Sequence, residues 1–235
     1  MPHTRVGDID LYYELVDFTE PWKAGPAAVV FIHGLGGDHT MWLHQVPAFC
    51  AHFPTITLDL RGHGQSSHPE RDFSVADMAS DVVRLLRTLG VERAHLVGLS
   101  LGGMVVQQFA LDYPLATASL VLADTLCGTP AGFENVMRDA FRFIEENSMA
   151  AVAQARITNA FSDNVDPVMR SYLIDRVAQN DKAAYVRAAR SAFGFSVADR
   201  LAEITAPTLV VVGDQDRVTP PPLSEDIEAR IPVRV

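Results

Sequence analysis

Gly98-Leu99-Ser100-Leu101-Gly102 sets a serine between two glycines, at the junction of an apolar run and a stretch of helical character. A G-x-S-x-G turn in that context lifts a hydroxyl out of a sheet and onto a helix N-terminus, where negative charge is favoured. Gly98 and Gly102 allow the turn to be tight and the neighbouring chain to pack against it. Ser100 reads as a nucleophile, and the backbone N–H of Leu101 as a donor to an oxyanion. The plain alternative is a tight structural turn. A second candidate is His33-Gly34-Leu35-Gly36-Gly37, which follows an apolar run. The N–H of Leu35 would be the second oxyanion donor; such donors act on charge that appears only in the transition state, typically by several kcal/mol. His33 and Gly34 read as support for that loop, with His33 ordering it rather than reacting. The third is Gly213-Asp214-Gln215-Asp216, at the end of a late apolar run. A carboxylate there suits the orienter of a catalytic histidine, and it follows the serine in the expected order. Asp216 is preferred, Asp124 is the alternative, and Asp214 reads as a solvated turn residue.

These residues need elements to hold them. Residues 4–16 alternate around Gly7-Asp8 and predict an antiparallel hairpin. Residues 27–32, 55–60, 94–99, 120–123 and 208–212 are apolar runs of strand length. Unbroken apolar strands separated by helices predict a mostly parallel sheet covered on both faces. Between them, a helix is expected over about Trp42 to His52. Another starts at Ser74, with Asp77 as its capping-box partner, and closes at Gly90. A third runs from about Gly102 to Asp112 and stops at Tyr113-Pro114. Residues 125–200 show no convincing strand. Phe133, Val136, Met137, Ala140, Phe141 and Ile144 mark one helix there, and three more are expected near 149–161, 166–178 and 182–192. A last helix is expected over Leu223 to Arg230. The organisation is therefore a core over 1–124, a helical cap over 125–200, and a return of the core over 201–235.

The chain has 235 residues, 48% of them apolar, and a formal charge of −10. That suits one sizeable core and argues against nucleic acid or an anionic membrane as the main partner. Two cysteines, Cys50 and Cys127, make no disulfide framework. With no targeting segment and no apolar run of membrane-spanning length, the expected location is cytoplasmic. The expected partner is a small-molecule substrate.

His33-Gly34-Leu35-Gly36-Gly37, Asp59-Leu60-Arg61-Gly62-His63-Gly64-Gln65-Ser66, Gly98 to Met104 and Gly213 to Asp216 together resemble motifs of the α/β-hydrolase family. They stand in that family's order along essentially the whole chain. Within it, Gly98 to Met104, Leu120 to Thr125 and Thr40-Met41-Trp42 look closest to the 3-oxoadipate enol-lactonases and related small esterases. The resemblance implies an eight-stranded sheet, with residues 125–200 as a cap over a serine hydrolase site. It implies acyl transfer from a carboxylic ester or lactone, with no cofactor. Trp42, Phe133, Met137 and Phe141 are the candidate pocket residues, each of which reads more readily as core. Carbon–carbon bond hydrolases and perhydrolases share the serine, whereas the dehalogenase and epoxide-hydrolase branches place Asp there.

One departure matters. The family's general-base histidine follows the acid, but the last histidine here is His95, ahead of Ser100. A serine hydroxyl without a base is a weak nucleophile at neutral pH. Three readings follow: a truncated form of an active enzyme, with the stretch Ile231 to Val235 as the entry to a last strand; a non-catalytic member of the fold, such as a small-molecule binding protein; or a substitute base, for which His39 is the candidate. Truncation would leave a sheet edge open and favour homo-oligomers. Two other chemistries find less support. Gly34-x-Gly36 after a strand, with Asp59 about 20 residues on, mimics a dinucleotide fingerprint, but His39 occupies the third glycine position. The histidines of the first third have no metal-ligand spacing, so no metal is expected.

Overall fold

The computed structural model describes residues 2–20, 22, 25, 27–130, 132–162 and 164–233. Residues 21, 23, 24 and 26, and the last two residues of the Ile231–Val235 stretch, lie outside these.

Strands β1 (His3–Val6) and β2 (Ile9–Val16) form the hairpin expected around Gly7. There follow β3 (Ala27–Ile32), α1 (Val46–Phe49), β4 (Thr55–Leu58), α2 (Val75–Thr88), β5 (Arg93–Leu99), α3 (Leu101–Asp112) and β6 (Thr117–Ala123). Four helices come next: α4 (Glu134–Glu146), α5 (Met149–Ala160), α6 (Pro167–Ala178) and α7 (Lys182–Phe193). The chain then returns through β7 (Thr208–Val211) and α8 (Pro221–Arg230). The seven described strands make one sheet in the order β1-β2-β4-β3-β5-β6-β7. From β4 to β7 every pairing is parallel.

The apolar run of β3 is unbroken because both faces of the sheet are covered. Val30 and Ile32 face the main core, with α2 and α3, while Val29 and Phe31 face a smaller cluster holding Trp42 and Phe49. Ser74 and Asp77 form the capping box of α2, satisfying N–H groups that a helix start leaves open. Beneath the loop after β4, Arg61 grips Asp81 of α2 through two bonds of 2.6 and 2.7 Å. Both side chains are almost fully buried, and Arg61 also reaches Asp8 at 3.2 Å. The pair ties the loop to α2 and to the β1–β2 turn.

The helix expected over 42–52 is instead a 3₁₀ turn, His39–Trp42, and the single turn α1. Asp38 caps the first by accepting from the N–H of Thr40 at 2.9 Å. Pro47 sits at the start of the second, the position in a helix that tolerates a missing N–H, so the two turns do not fuse. The four-helix insert matches the expected helices closely. Its two ends are joined by a bridge between Gly128 and Ser196, and Val197 N–H donates to the Cys127 carbonyl at 2.8 Å. Beside β7, Thr208 N–H donates to the Val233 carbonyl at 3.1 Å, so the backbone at 233 has begun to pair with that edge. No described helix is long and apolar enough to cross a membrane.

Candidate active site

Ser100 links β5 directly to α3. Its backbone lies at φ 54 and ψ −115, a left-handed conformation that costs a non-glycine residue energy unless its surroundings enforce it. They do. Ser100 N–H donates to the Ala123 carbonyl at 2.9 Å, and the Thr125 hydroxyl donates to the Ser100 carbonyl at 2.7 Å. A side chain at Gly102 would meet the Ile32 carbonyl oxygen at 2.1 Å, and one at Gly98 would meet the Gly102 oxygen at 2.3 Å. The elbow is therefore set by backbone of β3 and α3 pressing on it. The Ser100 hydroxyl itself makes no hydrogen bond to a described residue.

The loop after β3 passes beside it, with Gly34 close against the Ser100 Cβ. Gly37 N–H donates to the Gly34 carbonyl at 3.0 Å and closes the loop as a turn. Leu35 and Leu101 are both buried, and among the described residues neither backbone N–H has an acceptor. His33, fully buried, accepts from Leu60 N–H at 3.0 Å through Nε2. Its proton is thus on Nδ1, which donates to the Gly34 carbonyl at 2.8 Å. Burial holds this imidazole below its ordinary range, and it serves to order the loop.

At the far end of the sheet, Asp216 follows β7. Its carboxylate accepts from the N–H groups of Val218 at 2.7 Å and Thr219 at 2.9 Å, and from the Thr219 hydroxyl at 2.7 Å. Asp124, at the end of β6, accepts from Gly213 N–H at 3.0 Å. Burial, together with the neighbouring Asp216 carboxylate, pushes the Asp124 carboxyl above its usual range. The two acids offered by the sequence as alternatives are thus neighbours. Asp214 is exposed, as a turn residue would be.

No histidine hydrogen-bonds Ser100. His39, the candidate substitute base, is held among acidic groups. Its Nδ1 lies 2.7 Å from Asp59, its Nε2 is 3.7 Å from Glu14, and its ring packs on Tyr12 at 4.7 Å. Burial opposes its charge, but the Asp59 carboxylate wins and holds the imidazole above its ordinary range. Among the described residues its side chain meets Asp59 and Glu14, and it makes no hydrogen bond to Ser100. His63 is buried against His33, with ring centroids 5.0 Å apart. Burial drives it down to about 3. His95 bonds the Ser119 hydroxyl at 2.8 Å.

The four candidate pocket residues are not brought to Ser100. Trp42 packs on Phe31 at 5.0 Å in the smaller core cluster, because 3₁₀ geometry turns it onto the sheet. Met137 and Phe141 line an apolar cavity of about 470 Å³ between α4 and α7, which no residue of the elbow shares. Phe133 is half exposed. Asp38, His39 and Asp59 bring ligand-type atoms within 4.8 Å of one another, a grouping that spacing did not reveal. Each already has a protein partner: Asp38 has Arg176 and Thr40, and Asp59 has His39 and Gln65. Residues that sequence reasoning missed are Asp59 as the anchor of His39, and Arg176 and Asn180, which reach the same loop from the insert.

The chain is similar to several known proteins. It is 32% identical to 3-oxoadipate enol-lactonase 1 of Acinetobacter baylyi over 197 residues, covering 82% of this chain and 72% of that protein. A hydrolase from Pseudomonas aeruginosa superposes with a TM-score of 0.88 at 29% identity, covering 99% of this chain and 87% of that one. The enol-lactonase from Burkholderia xenovorans superposes with a TM-score of 0.90 at 25% identity, covering 100% and 91%. Residues 27–234 match the family described as the alpha/beta hydrolase fold. A serine elbow on a mostly parallel sheet, a helical insert between β6 and β7, and this match along nearly the whole chain place the protein in the α/β-hydrolase family.

Proposed function

We propose that the chain is a serine hydrolase acting on a carboxylic ester or lactone through an acyl-enzyme. The observation that supports this is the Ser100 elbow, where among the described residues the Ser100 hydroxyl has no hydrogen bond and the N–H groups of the buried residues Leu35 and Leu101 have no acceptor. Ser100 would attack the carbonyl carbon, and the two N–H groups would hold the oxygen as it gains charge. Donors fixed in place before reaction cost no reorganisation in the transition state. Asp216, backed by Asp124, would orient a histidine that takes the serine proton. The enol-lactonases among the relatives support a small ester or lactone as substrate.

The base is the weak point. None of the 8 histidines of these residues reaches Ser100. Without such a base, a serine at this elbow would rely on the oxyanion donors and on binding. The same observation favours a second reading, a non-catalytic protein that binds a small molecule under the insert. At β7, the side chains of Leu209 and Val211 are more than a third exposed, which supports self-association along that edge.

The test is intact mass before and after a fluorophosphonate serine probe. An adduct that is lost in Ser100→Ala supports an activated serine. No adduct at any exposure rejects catalysis for this polypeptide and leaves the binding reading. Sedimentation in the same sample tests the edge: a monodisperse monomer overturns self-association.

A further inference from the structure

The loop that carries Leu35 is held from two sides. On the core side, Asp59 accepts from the backbone N–H of His39 at 2.7 Å, just beyond the loop. On the other side stands the turn between α6 and α7. Arg176, in the last turn of α6, pairs with one oxygen of Asp38. The other Asp38 oxygen caps the 3₁₀ turn through Thr40 N–H at 2.9 Å. Asn180, within the α6–α7 turn, uses its side-chain amide as a double donor. It reaches the Gly36 carbonyl at 3.0 Å and the Val177 carbonyl at 3.0 Å.

Gly36 itself sits at φ 71 with its Cα against the Tyr185 ring of α7; a Cβ there would lie 2.8 Å from that ring. The insert thus touches the loop through an ion pair, a hydrogen bond and a ring. The carbonyl that Asn180 holds belongs to the residue next to Leu35, inside the turn closed by the Gly37–Gly34 bond. The Gly36 carbonyl shares one planar peptide with Gly37 N–H, and the Leu35 N–H shares another with the Gly34 carbonyl, so the Gly37–Gly34 hydrogen bond couples the two planes. No other side chain donates to the Gly36 carbonyl among the described residues.

We propose that Asn180 is a positioning residue: through the Gly36 carbonyl, the helical insert sets the direction of the Leu35 N–H. The insert then does more than cover the site, because docking of the α6–α7 turn and alignment of the oxyanion donor become one event. The catalytic consequence rests on the acyl-transfer reading above; the positioning of the loop does not.

Asn180→Asp tests this, because it keeps the shape and removes the donation. Asn180→Ala is the second variant. Asn180 borders a polar cavity of about 310 Å³, so truncation there opens no void in the apolar core. The first readout is hydrogen exchange at the amides of residues 35–37, which should quicken at least several-fold in both variants while α2 stays protected. The second is the fluorophosphonate reaction at Ser100, resolved into a saturating rate and a half-saturating concentration. The saturating rate should fall about tenfold, a fraction of the 10²–10³ typical when an oxyanion donor is lost outright. The half-saturating concentration should not move. Unchanged exchange at residues 35–37 overturns the proposal, and so does a lower melting temperature with the saturating rate intact, the result of a merely structural bond. If the parent protein takes no adduct, acyl transfer fails as a reading, and the exchange measurement alone still judges the positioning.

Discussion

The two ends of the candidate constellation are built in different ways. The Ser100 elbow is enclosed: backbone from β3, α3 and β6 presses on it, and its strained φ of 54 is enforced by bonds to Ala123 and Thr125. The Asp216 end is open. Leu209 and Val211 beside it are exposed, and the carboxylate is held by N–H groups two and three residues further along its own loop. One end is fixed by long-range packing, which is cooperative with the whole core. The other is fixed by a local turn, which survives changes elsewhere but adds little to stability. The position of Ser100 is therefore a property of the fold, whereas that of Asp216 is a property of a loop.

Three measurements would break or sharpen that contrast. The largest effect is expected for Gly102→Ala. Its Cβ would lie 2.1 Å from the Ile32 oxygen, and backbone cannot step aside as a flexible side chain can. Chemical denaturation should show a loss of about 3 kcal/mol or more, in the range of overpacked cores; a loss below about 1 kcal/mol would mean that the elbow is looser than its contacts imply. Next comes pH. His63, buried against His33 and lowered to about 3, stays neutral in the folded state while an unfolded chain binds a proton below its ordinary value of 6.5. Stability should thus fall with acid between those values, by about 1.4 kcal/mol per pH unit from this group. The folded chain of His63→Gln should show a slope shallower by one proton. An unchanged slope would show that His63 is solvated, and the enclosure incomplete. The smallest effect is expected for Asp216→Ala, which removes a turn anchor on an exposed loop. Thermal unfolding should report about 1 kcal/mol or less, and a larger loss would mean that the β7 end is coupled to the core after all.

Most of the scaffold was legible along the chain. The insert helices α5, α6 and α7 fall within a residue or two of expectation, because Ser148, Asp166 and Asp181 cap them and their apolar spacing is helical. The strands were legible for a similar reason, since runs such as Ala27–Ile32 are too apolar for anything but a doubly covered sheet. The stretch from Trp42 to His52 was read as one helix, but Trp42 ends a 3₁₀ turn and Pro47 opens a separate single turn, a local effect that apolar spacing hides. Which face of the sheet Trp42 would meet was not legible, because an aromatic near a site motif carries no sign of it.

By itself, the sequence determined the order of elements, the elbow and its glycines, and the type of chemistry that a serine, two N–H groups and a carboxylate could do. These depend on residues close together in the chain, where spacing and conformation are linked. Only the tertiary structure decided which of the remaining polar groups meet. It bound His39 to Asp59, set Asp124 beside Asp216, and brought Asn180 to Gly36 across 144 residues. Each of those pairings is closed by the docking of whole elements, and chain spacing records nothing of where a docked helix will point its side chains.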